Sequence, residues 1–271
     1  DYCLTGGVLP TTTDPYGSVS IIDVSGTSLA ATTLNFSEFD SKAADIRAAG
    51  GRIYGPGATV AQDIEPEYIT ISQDNTTAFV TLQENNAIAT VDVESGAIVN
   101  IVGLGVKNHN LFNSGLDSSD RDGKIDIVAR NIQGMYLPDA IGTVEAGGNT
   151  YMVTANEGDA RDYDTWSEEI RIGDMSLTGD IDAADIQADE DLGRLNVTTT
   201  LGVSNGCNPS LLTTDAEADC EYDALYAYGA RSFSIRAADG TLVFDSGNDF
   251  ERITTARNPE FFNSNNDEND F

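Results

Sequence analysis

Lysine is nearly missing from this chain: Lys42, Lys107 and Lys124 are the only three in 271 residues. Lys and Arg together number 14 against 45 Asp plus Glu, for a formal net charge of −31 and a pI near 4.1. A field of that sign repels phosphate backbones and anionic bilayers, so nucleic acid and direct membrane insertion are excluded and cations are favoured. Histidine is scarcer still. His109 stands alone, which leaves no His-rich donor set for zinc and no convincing catalytic triad; its Asn-flanked loop reads as surface. No Gly-x-Ser-x-Gly elbow marks a serine nucleophile. No apolar run approaches the ~20 residues that span a bilayer as a helix. The sequence opens with neither Met nor a signal-peptide pattern, so any export signal is expected to have been removed or to lie outside the given sequence.

Cysteine is sparse and odd in number. Cys207 and Cys220 flank a loop rich in Gly, Asn, Pro and Asp, a spacing suited to a disulfide worth roughly 3 kcal/mol through loop closure. Cys3 is left over, free or paired outside this chain. Three reduced cysteines in a cytosolic protein is the competing reading. Sequons at Asn35, Asn75 and Asn196 permit glycosylation only in a host that glycosylates secreted proteins.

What the chain has is strand and acid. At 40% hydrophobic and 8% aromatic it can fill a core. "GSVSIIDV" (17–24), "EYITIS" (67–72), "TAFVTLQ" (77–83), "AIATVDV" (87–93) and "AIVNIVGL" (97–104) follow one another across polar turns. The last four predict a four-stranded antiparallel meander, the unit of a β-propeller blade. A second copy starts at Leu137. Pro66 matches Pro138, Glu67 matches Asp139, Thr81 matches Thr154 and Glu84 matches Glu157, with one extra residue in the turn.

Insertions at about 105–135 and 159–222 interrupt the pattern before strands resume over 225–247. Short helices are expected at 41–50 and 182–194, and the tail from Asn258 has no core pattern. The blade count is one partial (16–36), one complete (66–104) and one interrupted (138–250). Closed propellers usually need four to eight blades. The expected fold is therefore all-β: a single β-propeller domain over 1–271, an incomplete portion of a longer propeller or one whose edges partner chains cover.

The stretch "YMVTANEGDARDYDTWSEEIRIGDM" (151–175) turns from an apolar run into Glu157, Asp159, Asp162, Asp164, Glu168, Glu169 and Asp174, offset only by Arg161 and Arg171. Hairpin geometry puts Glu67 and Glu84 at one end of a blade, with Asp139 and Glu157 at the same end of the next. Such carboxylates repel one another unless a cation intervenes, and oxygen-only sets suit Ca²⁺ better than Zn²⁺. A second candidate is "DSSDRDGKID", where Asp120, Asp122 and Asp126 resemble half of an acidic calcium loop without its terminal Glu. In the insertion the candidates are Glu157, Asp159, Asp162 and Glu168. Three plainer readings stay open: a solvated acidic surface suited to salty water, local pairs with Arg161 and Arg171, and a simple Asp-Gly turn at Asp122. Trp166 argues that the insertion packs somewhere.

"GPGATVAQDIEPEYITIS", "AFVTLQENNAIATVDV", "GLDSSDRDG", "VTANEGDARDYDTWSEEIR", "YGARSFSIRAADG" and "FNSNNDEND" together resemble the choice-of-anchor I family. These are secreted or surface-attached bacterial proteins, similar to mesenchyme-specific cell-surface glycoproteins linked with sea-urchin biomineral formation. The resemblance runs from about Gly17 to Phe271. It implies an extracellular β-propeller, sometimes placed beside phosphatase or nucleotidase modules, and carries no catalytic residue with it. The expectation is a secreted or cell-surface calcium-binding protein with a structural, matrix, assembly or adhesion role. Its partners would be Ca²⁺, further copies of itself, surface polysaccharide or mineral. The alternative is a calcium-dependent phosphoesterase, with Arg52, Arg161 and Arg231 as anion contacts.

Overall fold

The computed structural model describes residues 14–163, 166–179, 181, 186–207 and 220–262. Cys3, the tail from 263 onward, Asp164 and residues 182–185 of the second helix candidate lie outside them. The chain is all-β, with mostly antiparallel sheets and few helices. It divides into two compact units. The first takes Asp1–Gly105, Tyr136–Asp159 and Phe233–Asp245; the second takes Val106–Met135, Ala160–Ser232 and Ser246–Phe271. The two insertions read from the sequence thus supply most of the second unit.

The first unit opens with β1 (Ser18–Asp23) paired antiparallel to β2 (Ala30–Asn35). Two short helices follow, α1 (Ala43–Ala48) and α2 (Val60–Asp63). α2 starts on a reciprocal cap in which Gln62 N–H donates to Thr59 Oγ1 and Thr59 N–H donates to Gln62 Oε1. The expected meander is then found: β3 (Ile69–Ile71), β4 (Thr77–Leu82), β5 (Ala87–Asp92) and β6 (Ala97–Gly103), each antiparallel to the next. β4 and β5 are buried almost throughout because they are central and covered on both faces. Phe36, Phe39, Ile46, Val60, Ile64, Val80, Leu82 and Val91 fill the core between them and the preceding elements.

The turns between these strands are built by acids. Asp74 accepts from Ser72 Oγ (2.7 Å) and Thr76 N–H (3.1 Å), beside Asn75 at φ +61°. Asp92 accepts from Ser95 N–H (2.7 Å), next to Gly96 at φ +62°. These bonds hold both carboxyls below the ordinary aspartate range. Asp23 and Asp239 are lowered in the same way by Ser25 and Thr241. Part of the acid content is therefore turn chemistry.

The first insertion contributes β7 (Val106–Asn108) and β8 (Gln133–Met135). The repeat then yields the hairpin β9 (Ala140–Ala146) and β10 (Asn149–Asn156). The second insertion carries β11 (Asp162–Tyr163), β12 (Trp166–Ser167), β13 (Glu169–Arg171), β14 (Ser176–Leu177), β15 (Asn196–Thr198), β16 (Glu221–Tyr222) and β17 (Tyr226–Ala227). After it come β18 (Ser232–Ala237), β19 (Leu242–Asp245) and helix α3 (Asp249–Arg257).

The interrupted sheet closes as expected. Its order is β19-β18-β10-β9, so the chain leaves after β10, builds much of another unit and returns to finish the same sheet. A buried polar chain links its strands: Thr154 Oγ1 donates to Asn156 Oδ1, Asn156 Nδ2 to Ser234 Oγ, and Ser234 Oγ to Asp245 Oδ2, all at 2.8–2.9 Å.

The second unit is more than loops. A five-stranded mixed sheet, β13-β15-β17-β8-β7, backs a core of Leu116, Ile132, Ile172, Met175, Leu192, Val197, Tyr222 and Leu225. Trp166 of β12 is buried as well, at 6% exposure. The disulfide Cys207–Cys220 is formed, and Cys220 belongs to this core. His109 corrects the surface reading: it is 2% exposed, with Nδ1 2.6 Å from the Ser114 carbonyl. α3 was not legible because its buried residue is Glu251, while Phe250 and Ile253 face outward.

Candidate functional site

In the first unit the segments entering β3 and β9 both follow a proline, Pro66 and Pro138, and both carry an acid next. Glu67 N–H bonds the Thr81 carbonyl and Asp139 N–H bonds the Ala155 carbonyl, so each acid is fixed at the same end of its hairpin. Glu67 is pushed above the ordinary glutamate range by burial first, then by the charges of Glu65, Asp139 and Asp159. The charges that raise it are all carboxylates. The hairpin argument put Glu67, Glu84, Asp139 and Glu157 at one end of neighbouring blades; Glu65, two residues before Glu67, is an addition.

Neither Glu84 nor Glu157 is among the charges that raise Glu67. Glu84 is buried at the β4–β5 turn, where its carbonyl accepts from Arg52 Nη1 at 3.0 Å. Glu157 is exposed just past β10. The asparagines beside Glu84 are unexpected hubs. Asn85 Nδ2 reaches the carbonyls of Arg52 and Asp63, and Glu65 N–H donates to Asn85 Oδ1. Asn86, at φ +50°, donates to the Gly50 and Gly105 carbonyls and accepts from Leu137 N–H. The polar turn read from the sequence is present, and its burial also makes it a junction.

In the second unit the loop candidates are tied to protein groups. Asp126 is paired with Lys124 (2.5 Å) and held below its ordinary range by it. Asp122 accepts from Lys124 N–H, and Asp120 faces Arg121 (3.2 Å) and Arg194 (3.7 Å). Asp117, which the motif reading passed over, is 7% exposed and accepts from Asp126 N–H, bracing the loop from inside. Glu168 is fully buried. One carboxylate oxygen accepts from Arg161 N–H and the other from Thr198 Oγ1. Asp162 is exposed on β11, and Asp159 is exposed ahead of it in the first unit. Among the described residues no three His, Cys, Asp or Glu side chains stand close enough to share a metal ion.

The choice-of-anchor I domain model matches residues 7–271. The chain belongs to the choice-of-anchor I family. No curated protein and no solved structure matches it. Membership points to a bacterial cell-surface or secreted protein. Among the described residues no helix is long and apolar enough to cross a membrane. Of the three arginines weighed as anion contacts in this family member, Arg52 stacks on Tyr54 at 3.8 Å and Arg161 is 1% exposed. Arg231 is paired with Glu251 at 2.5 Å.

Proposed function

We propose that this choice-of-anchor I chain is a portion of a β-propeller with a structural, assembly or adhesion role, and that its sheet-end carboxylates take Ca²⁺. The observation that supports it is the gathering of Glu65, Glu67, Asp139 and Asp159 from two different sheets, with Glu67 protonating more readily than a free glutamate. Carboxylates held against their own repulsion favour a hard cation with oxygen ligands. Their present separation leaves each group short of a shared ion, so binding would draw the two sheet ends together. The blade reading rests on the meander β3–β6 and on the second four-stranded sheet of the same unit. β19, with Leu242, Val243 and Phe244 exposed along an outer strand, offers an edge for further copies of the chain, and surface polysaccharide and mineral are the other partners of such a role. The phosphoesterase alternative gains nothing from Arg52, Arg161 or Arg231, each already engaged.

Thermal unfolding in EDTA, then in millimolar Ca²⁺ with Mg²⁺ as control, tests the cation. Ca²⁺ at about 100 times its dissociation constant adds roughly 2.7 kcal/mol per site. A rise no greater than Mg²⁺ or NaCl produces would reduce the cluster to a solvated acidic face.

A further inference from the structure

The second unit contains a cavity of about 250 Å³ that the cation reading does not use. It falls below the range of about 300–1,000 Å³ typical of pockets for drug-sized ligands, so its occupant is about one ring in size. Two arginines line it, but neither offers an uncompensated charge. Arg194 faces Asp120, which also lines the cavity, and Arg231 is paired with Glu251. Glu251 accepts from Asp117 N–H through its other oxygen, so α3 clamps the acidic loop and Arg231 together. Arg231 is held there at φ +51°, a conformation that residues other than Gly seldom adopt.

The remaining lining is polar and aromatic. Ser118 lines the cavity with other atoms than its Oγ, which is closed off from it. Asn196 adds an amide to the lining, and Tyr228 and Phe262 add rings. The Tyr228 hydroxyl donates to the Glu168 carbonyl at 3.3 Å, which fixes that ring.

We propose that this cavity binds a neutral sugar ring, either free or at the end of a glycan. A ring of hydroxyls matches a lining that both donates and accepts, and its C–H faces suit the flat aromatic side chains. A phosphate or uronate would have to displace a carboxylate already paired to arginine, and a cation would meet two guanidiniums. The inference rests on the chain being a binding protein, but not on the sheet-end carboxylates, which belong to the first unit.

The test titrates the whole chain with methyl glycosides of glucose, galactose, mannose and N-acetylglucosamine, read by saturation-transfer NMR and calorimetry. Glucuronate and glucose 6-phosphate are the charged counterparts, and every titration is repeated in EDTA. At least one neutral glycoside should bind saturably, and more tightly than either charged sugar. Asn196→Ala and Phe262→Ala should each weaken it about tenfold, the scale of one lost hydrogen bond or ring contact, without moving ligand-free unfolding. Oligosaccharides bearing that sugar at the non-reducing end separate the two sources: equal binding marks a glycan terminus, and binding of the free sugar alone marks a soluble ligand. Binding that persists in EDTA keeps the cavity independent of any cation. Failure of every neutral glycoside to saturate, stronger binding of the charged sugars, or wild-type affinity in both variants would overturn the proposal.

Discussion

At the residue scale the acids of this chain do several different jobs. Asp74 and Asp92 close turns, Glu168 and Asp117 are buried braces, and Glu67 sits among like charges. Glu67 carries a raised pKa, and the direction sets its pH behaviour. A carboxyl whose folded pKa is raised keeps its proton in the native state where the unfolded chain has released it. Its contribution is therefore present at acid pH and lost as pH climbs from the ordinary glutamate value through the folded one. Glu67→Gln removes that loss. Its melting temperature should match wild type near pH 4 and exceed it at pH 7, as calorimetry across that range would show; the gain should shrink in high salt. A variant less stable at pH 7 would mean that the carboxylate makes a favourable contact there. If the cluster takes Ca²⁺ as proposed, Ca²⁺ narrows the same gap.

At the element scale the instructive case is the sheet β19-β18-β10-β9. Its two hairpins are far apart in sequence, so their pairing depends on tertiary closure rather than on a tight turn. The Thr154–Asn156–Ser234–Asp245 chain specifies that pairing with side chains that have few other places to go once buried. Asn156→Ala leaves Ser234 without its donor and Thr154 without its acceptor. It should cost about 1–3 kcal/mol, measured by urea unfolding, and should speed hydrogen exchange in β18 and β19 more than in β4 and β5. Burial gives the Glu-Asn-Asn turn a second role that its sequence does not announce: Asn85 and Asn86 look like ordinary turn residues until the carbonyls of Arg52, Asp63, Gly50 and Gly105 arrive around them.

At the scale of the whole molecule, two insertions that look like loops become a unit with its own sheet, core and disulfide. Its strands are mostly two or three residues long, too short for alternation to announce them, and its core is collected from segments distant in sequence. Covalent closure compensates for such dispersed packing. Reducing Cys207–Cys220, or replacing both residues by Ser, should cost roughly 3 kcal/mol. Near-ultraviolet circular dichroism, which reads buried Trp166, should lose its signal earlier in denaturant. Unchanged unfolding would place the disulfide's effect in the native loop alone.

Sequence by itself determined the all-β class, the β3–β6 meander, the interrupted second sheet, the disulfide pair and the family, because each is written in contiguous pattern or spacing. Alternation over six or seven residues and turn chemistry act locally, so they survive reading without coordinates. Which acids serve as braces is settled by tertiary contacts, because a carboxylate's role depends on the donors that reach it. Asp120, Asp126 and Glu168 meet Arg194, Lys124 and Thr198. His109 and Glu251 are buried by contacts that pattern cannot show, and the cavity beside Ser118 exists because α3, β15 and the acidic loop meet within one unit.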